Sequence, residues 1–161
     1  MAGTPPKQAL KDELVRLLQT DLDVLERAHR AVLEGATHEE AKPENDKDTR
    51  ALEQSYLARG QAMRIEELRA GLAAARAMST RAFGEGDRAA IGAIVSVEEG
   101  GRERLFLLAP HGGGTALADA SVQVVTPESP LGRMLLGKCT GDECELAAGG
   151  RAREFLVLGV S

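Results

Sequence analysis

From Lys7 to Glu34 the chain contains neither glycine nor proline, and this run constrains the fold more than any other feature. Within it Leu14, Leu18, Leu25, Ala28 and Val32 recur at spacings of three, four or seven, which places one apolar stripe along an α-helix. Asp21 interrupts the stripe. A break is expected at Gly35-Ala36-Thr37-His38, and a second helix from about Glu44 to Met78. Pro43 suits its first turn, and Glu44, Asp46 and Asp48 suit the positive end of its dipole. Along it Ala51, Gln54, Ala58, Gln61, Ile65, Leu68, Leu72 and Ala75 form a heptad seam, small or polar at one end and aliphatic at the other. Gly60 and Gly71 lower its helicity by about 1 kcal/mol each. Two such helices joined by a short connection fold back as an antiparallel hairpin. Arms of roughly 30 residues reach about 45 Å at 1.5 Å per residue.

The segment joining the arms reads EEAKPENDKD, Glu39 to Asp48, with five carboxylates, two lysines and one proline. The hairpin makes this run a presented tip. Its carboxylates are hard oxygen donors suited to Mg²⁺. They are too few to cage an ion alone, but they can complete the shell of one held elsewhere, and a metal so placed can activate water for phosphodiester hydrolysis. On composition alone a solvated turn explains the run as well.

After Ser79 the period changes. Gly84, Gly86 and Asp87 mark a turn or linker. Strands are expected over 91–97, 104–108, 121–125, 143–147 and 154–160, with turns at Glu98 to Gly101 and at Ala148-Gly149-Gly150. Between the third and fourth, Ser129 to Gly137 reads as a short capped helix: Ser129 at the N-cap, Pro130 in the first turn, Gly137 closing it. The order is β-β-β-α-β-β, so the helix must cover one face of a small antiparallel sheet. The fold class is α+β. The domains are residues 1–80, a coiled-coil hairpin, and 81–161, a compact β-rich domain.

Composition removes several function classes. Aromatic residues make up 2% of the chain and there is no Trp, which argues against stacking platforms for single-stranded nucleic acid and against aromatic-lined pockets. The net charge is -5 with no basic tract, so binding to free duplex DNA is not expected as the main activity, and a protein partner is. Cys139 and Cys144 fit no zinc spacing and imply no secreted disulfide framework. His29, His38 and His111 stand near no nucleophile motif, and Gly112 to Gly114 match no phosphate-binding loop. The start MAGTPPKQAL has no apolar signal region and no stretch reaches the length of a membrane span, so a cytoplasmic protein is expected.

One segment is more specific. Thr126-Pro127-Glu128-Ser129-Pro130-Leu131-Gly132-Arg133-Met134-Leu135-Leu136-Gly137-Lys138, followed by Gly141-Asp142 and closing with Glu154-Phe155-Leu156-Val157-Leu158, resembles a signature of the bacterial Gre transcript-cleavage factors, S-P-E-S-P-(L/I)-(G/A)-R-A-L-(L/I)-G-K-x-x-G-D. In the hairpin, Glu44-Asn45 resembles that family's tip E-N, and Glu53-Gln54, Gly60 and Ile65-Glu66 fall at matching distances. The resemblance covers nearly the whole chain and is stronger in the C-terminal half.

The resemblance implies an N-terminal coiled coil and a C-terminal domain of FKBP-like fold that docks at the rim of the secondary channel of RNA polymerase. Ser129, Pro130, Leu131, Gly132 and Arg133 are the implied partner-binding residues. The coiled coil would carry Glu44 and Asn45 to the polymerase active site. There Glu40, Glu44 and Asp46 would share a Mg²⁺ with the polymerase, which then cleaves backtracked RNA. The factor is not an enzyme in isolation and has no cofactor of its own. It meets the 3′ end of nascent RNA indirectly and DNA only within the complex, uses no membrane, and works as a monomer.

The tip departs from the family at one position: the acid three residues before the Glu of E-N is Ala41 here. Asp48 also replaces the family's aromatic residue. Glu40 beside the vacant position and Asp46 beyond Glu44 are the available substitutes. The alternative is a secondary-channel binder that modulates or inhibits the polymerase without stimulating cleavage. Two other classes compete: a prolyl isomerase, for which the C-terminal half offers only Phe83, Phe106 and Phe155, and a dimeric coiled-coil adaptor, for which the Gln- and Ala-rich part of the seam is poor material.

Overall fold

The computed structural model describes residues 3–39 and 47–161. Two long helices come first, α1 (Lys7–Glu39) and α2 (Lys47–Ala77). They are followed by β1 (Ile94–Glu99), β2 (Arg102–Leu108), β3 (Ala116–Leu117), β4 (Val122–Val125), α3 (Pro130–Leu135), β5 (Glu143–Ala148) and β6 (Arg151–Val160). This is the α+β arrangement expected from the sequence. The chain forms two compact units, a helical unit of Arg16–Leu72 and a sheet-bearing unit of Met1–Val15 with Ala73–Ser161. The roots of both helices therefore belong with the sheet, a different cut from the expected division at residue 80.

In the helical unit α1 and α2 run antiparallel, as the pairs Glu26–Arg69 and His29–Gln61 require. Leu18 and Leu22 of α1 are buried, as are Ile65, Leu68 and Leu72 on the seam expected on α2. On α1 the stripe differs from expectation. Asp21 is exposed and does not interrupt it, because Leu22 takes the inward position. Further along, half-buried His29 occupies the seam while Ala28 is exposed. The expected break at Gly35 is also corrected: α1 continues through it to Glu39. A helical glycine costs about 1 kcal/mol, and flanking Leu33, Glu34 and Ala36 are better helix formers.

In the sheet-bearing unit α1 begins with buried Leu10 and Leu14, and buried Ala75 near the end of α2 is followed by buried Met78 just past it. Lys11 donates to the carbonyl of Met78 at 2.7 Å, and Lys7 to that of Arg81 at 2.7 Å. Two lysines of α1 thus satisfy carbonyls at and beyond the end of α2 that have no helical partner. Phe83 lies under both Lys7 and Arg81, at 4.3 and 3.9 Å from ring centre to cation.

The sheet order is β3-β4-β2-β1-β6-β5. The hairpins β1–β2 and β5–β6 turn on Gly100-Gly101 and Gly149-Gly150. All four glycines have positive φ, the requirement of a two-residue turn that matches the strand twist. One pairing corrects the all-antiparallel expectation: β2 and β4 are parallel, Leu105 opposite Val122 through Leu108 opposite Val125. The connection over 109–121 is long enough for the crossover a parallel pair needs. It also holds β3, a two-residue strand that the sequence pattern did not reveal.

Phe106, Phe155, Val95, Val97, Leu108 and Val157 line one sheet face, and α3 covers it through Leu135, with Leu131 and Met134 packed against the same cluster. Further along, Glu99 accepts from Arg104 at 2.7 Å and from Arg153 at 2.6 Å. Those guanidinium groups lie over Phe106 and Phe155 respectively. The hydrogen bond from Arg153, with that from Arg104, holds the Glu99 carboxyl below its usual range against the opposing effect of partial burial.

Candidate functional site

The two candidate regions differ in what the structure describes. Glu40, Ala41, Glu44, Asn45 and Asp46, the expected tip residues, lie outside the described residues. The other region, residues 126–142, is described in full.

It begins where buried Val125 ends β4. The carbonyl of Thr126 accepts the Ser129 N–H at 3.0 Å and the Ser129 hydroxyl at 2.8 Å. The same hydroxyl oxygen accepts the Gly132 N–H at 3.0 Å, which makes Ser129 the N-cap of α3 as its sequence position predicted. Pro130 enters the first turn at no hydrogen-bonding cost. Gly132 is buried against the preceding loop, where an added Cβ would stand 1.8 Å from the Thr126 carbonyl oxygen. The close approach of helix and loop therefore depends on a residue without a side chain.

Beyond α3, Gly137 turns at φ 79°. Its N–H donates to Ala89 at 2.7 Å, and Lys138 returns the bond by accepting from Ala89 at 2.8 Å. Asp142 has a local role: its carboxylate accepts the Cys139 N–H at 2.8 Å. The Gly141 N–H donates to Val157 and the Val157 N–H to Asp142, which fastens this turn to β6.

The five expected partner-binding residues are brought together, but they do not face one way. Gly132 is buried, while Ser129 and Leu131 are half-buried, one as the cap and one against the core. Pro130 and Arg133 are exposed, three positions apart on one side of α3, with exposed Glu128 just before the cap. The exposed side of α3 thus carries Pro130 and one cation, the guanidinium of Arg133.

Burial pushes the Cys144 thiol up, which suits a core residue and not a nucleophile. No group of three His, Cys, Asp or Glu side chains is gathered for a metal among the described residues. Among them, too, no helix is long and apolar enough to cross a membrane. Phe106 and Phe155 are buried in the core, and Phe83 stands alone as the aromatic residue of a shallow pocket with Thr4, Pro5, Lys7, Gln8 and Ile94, unlike the aromatic-lined pocket an isomerase needs.

Residues 84–161 match the profile of the C-terminal part of transcription elongation factors GreA/GreB. Among solved structures, GreA factor homolog 1 (Gfh1) of Thermus thermophilus is 23% identical, with 95% of each chain covered and a TM-score of 0.37. Gfh1 of Thermus aquaticus is 22% identical, with 95% of this chain and 94% of that one covered and a TM-score of 0.41. Transcription elongation factor GreA of Streptococcus pneumoniae serotype 4 is 34% identical over 139 residues, which is 84% of this chain and 79% of the relative.

The chain belongs to the Gre family of transcription elongation factors. Within this Gre-family chain the signature of residues 126–142 divides its labour between internal and external work. Ser129, Gly132 and Asp142 hold the backbone, Leu131 and Leu135 fill the core, and Pro130 and Arg133 face out. Sequence reasoning grouped all of 129–133 as contact residues, and only the helical period about a buried Leu135 could have separated the two sets. It passed over Glu99, the acceptor for Arg104 and Arg153, which stands in no motif.

Proposed function

We propose that this chain is an accessory factor of RNA polymerase. It enters the secondary channel with its helical hairpin and stimulates the polymerase to cleave backtracked nascent RNA. Membership of the Gre family is the observation that carries the reading. The antiparallel α1–α2 pair, joined by a carboxylate-rich segment, supports it physically. Docking falls to the exposed side of α3, where Pro130 offers a rigid apolar contact and Arg133 a planar cation for a carboxylate on the partner.

Glu44 is the principal acid of the tip, Asn45 orients the reacting groups beside it, and Glu40 or Asp46 stands in for the family's second acid. Carboxylate oxygens of this kind fit Mg²⁺, which would be shared with the polymerase and would supply activated water. The factor works as a monomer in the cytoplasm with no cofactor of its own.

A second reading is favoured by one residue. With Ala41 in place of the family's acid, the chain would occupy the channel and modulate or inhibit the polymerase without cleavage. Backtracked complexes of purified RNA polymerase separate the two. Under the first reading the wild-type chain releases short 3′ RNA fragments and Glu44→Ala abolishes most of the release. Binding without fragments at any Mg²⁺ concentration selects the second reading. Absence of binding removes both.

A further inference from the structure

Between β3 and β4, Ala118, Asp119 and Ala120 have φ of 49°, 53° and 66°. Three consecutive non-glycine residues there make a left-handed turn, which L side chains disfavour because Cβ crowds the backbone. Burial does not explain it: Asp119 and Ala120 are exposed and Ala118 is half-buried. The turn is held from its ends and from outside. Leu117 before it and Val122 after it are fully buried. The Ser121 N–H closes it onto the Ala118 carbonyl at 3.1 Å. The Ala118 N–H donates at 3.0 Å to a carboxylate oxygen of Glu13, near the root of α1.

The turn also leads somewhere. From Val122 the chain runs along β4 into Thr126, whose carbonyl is the acceptor that seats the Ser129 cap of α3. On either side β4 is held by β2 and by the loop before β3, through Val124 N–H to Thr115 and Ala109 N–H to Val125. One short strand therefore joins the turn that Glu13 holds to the cap of α3.

We infer that Glu13 is a catch: by holding the left-handed turn of residues 118–120 it couples the seating of the α1 root to the set of α3. The turn is the two-state element. With Glu13 in place the left-handed form persists; without it the strain relaxes, and β3, paired to β4 only at Ala116–Gln123 and Leu117–Val122, gives way. Whatever fixes α3 then favours the seated root, and the reverse, because coupling of two sites through one equilibrium is reciprocal. The regulatory meaning rests on the reading of α3 as the polymerase-docking element.

Amide hydrogen exchange on the full chain, without polymerase, tests the catch. Glu13→Ala is expected to speed exchange of the Ala118 N–H and of the capped Gly132 N–H by about tenfold, the scale of one lost hydrogen bond to a charged group. The β1–β6 pairing keeps its protection. Glu13→Gln, which retains an acceptor oxygen, keeps most of the protection at Ala118. Ala120→Gly, which takes the left-handed conformation without strain, restores much of it in the Glu13→Ala background. Unchanged exchange at Ala118 overturns the catch, and a change at Ala118 with none at Gly132 overturns the coupling. A uniform rise that includes β1 and β6 would make Glu13 a general support and also overturn it. Polymerase binding is scored separately, so its loss with the exchange pattern intact removes the docking reading alone.

Discussion

The seam of the helical unit and the core of the sheet-bearing unit bury different kinds of surface. The core packs Phe106, Phe155, Val95, Val97 and Leu135 beneath α3. The seam starts the same way, with Leu18, Leu22, Leu68 and Leu72 buried. It then changes to half-buried Leu25, to a hydrogen bond between His29 and Gln61 at 3.3 Å, and to Ala58 and Gln54. The difference teaches where burial dictates sequence. Under α3 each side chain is fixed by its neighbours, whereas along the hairpin apolar selection fades toward the segment whose composition is dominated by charge. Packing thus explains the inward part of the signature of residues 126–142, Leu131, Gly132 and Leu135, and leaves Pro130 and Arg133 exposed.

The largest expected effect is in the core. Phe106→Ala should cost about 3–5 kcal/mol through lost burial and the cavity left behind. Urea unfolding would measure it, and a cost below that of any seam substitution would break the contrast. In the seam, Leu68→Ala should cost about 2–3 kcal/mol, toward the low end for buried leucine because one neighbouring layer is polar. Ser129→Ala should cost about 1 kcal/mol, the usual worth of an N-cap, with faster amide exchange at Gly132 as its local sign. Gln61→Ala should cost under about 1 kcal/mol, since a half-buried hydrogen bond is replaceable by water. If Gln61→Ala cost more than Leu68→Ala, the hairpin would be held by its polar layer and the comparison would reverse.

The smallest effect is present at neutral pH and fades in acid. The Glu99 carboxyl is held below its usual value of 4.5 by Arg153 and Arg104. A carboxylate with a depressed folded pKa adds stability above its unfolded pKa, and this is lost as pH falls through the folded value. Wild-type stability should therefore exceed that of Glu99→Gln at neutral pH, and the gap should close on acidification below 4.5. A gap that widened in acid would show that Glu99 is not held in this way.

Much of this was legible in the sequence because local rules and tertiary packing agreed. The heptad on α2 from Gln54 to Ala75, the Ser129-Pro130 helix start and the paired-glycine hairpins each follow from short-range physics. The errors arose where tertiary context decided. Asp21 looked like an interruption because Leu22 was not counted into the stripe, and Gly35 looked like a stop although a helix can carry one glycine. The parallel β2–β4 pair and the two-residue β3 depend on a crossover that no periodicity announces. On α3, outward Pro130 and Arg133 could not be separated from inward Gly132 and Leu131 until the buried face of the helix was known. Glu13 was invisible for a simpler reason: its partner, Ala118, is 105 residues away.

The central claim is that the tip carboxylates act on RNA inside the polymerase, and the direct measurement is fragment release from backtracked complexes. Wild type, Glu44→Ala and Ala41→Asp are compared at saturating factor. The account predicts release by the wild type, at least a tenfold loss for Glu44→Ala, and faster release for Ala41→Asp, which returns the family's second acid. Equal release by wild type and Glu44→Ala, or none by wild type although it is bound, would contradict it.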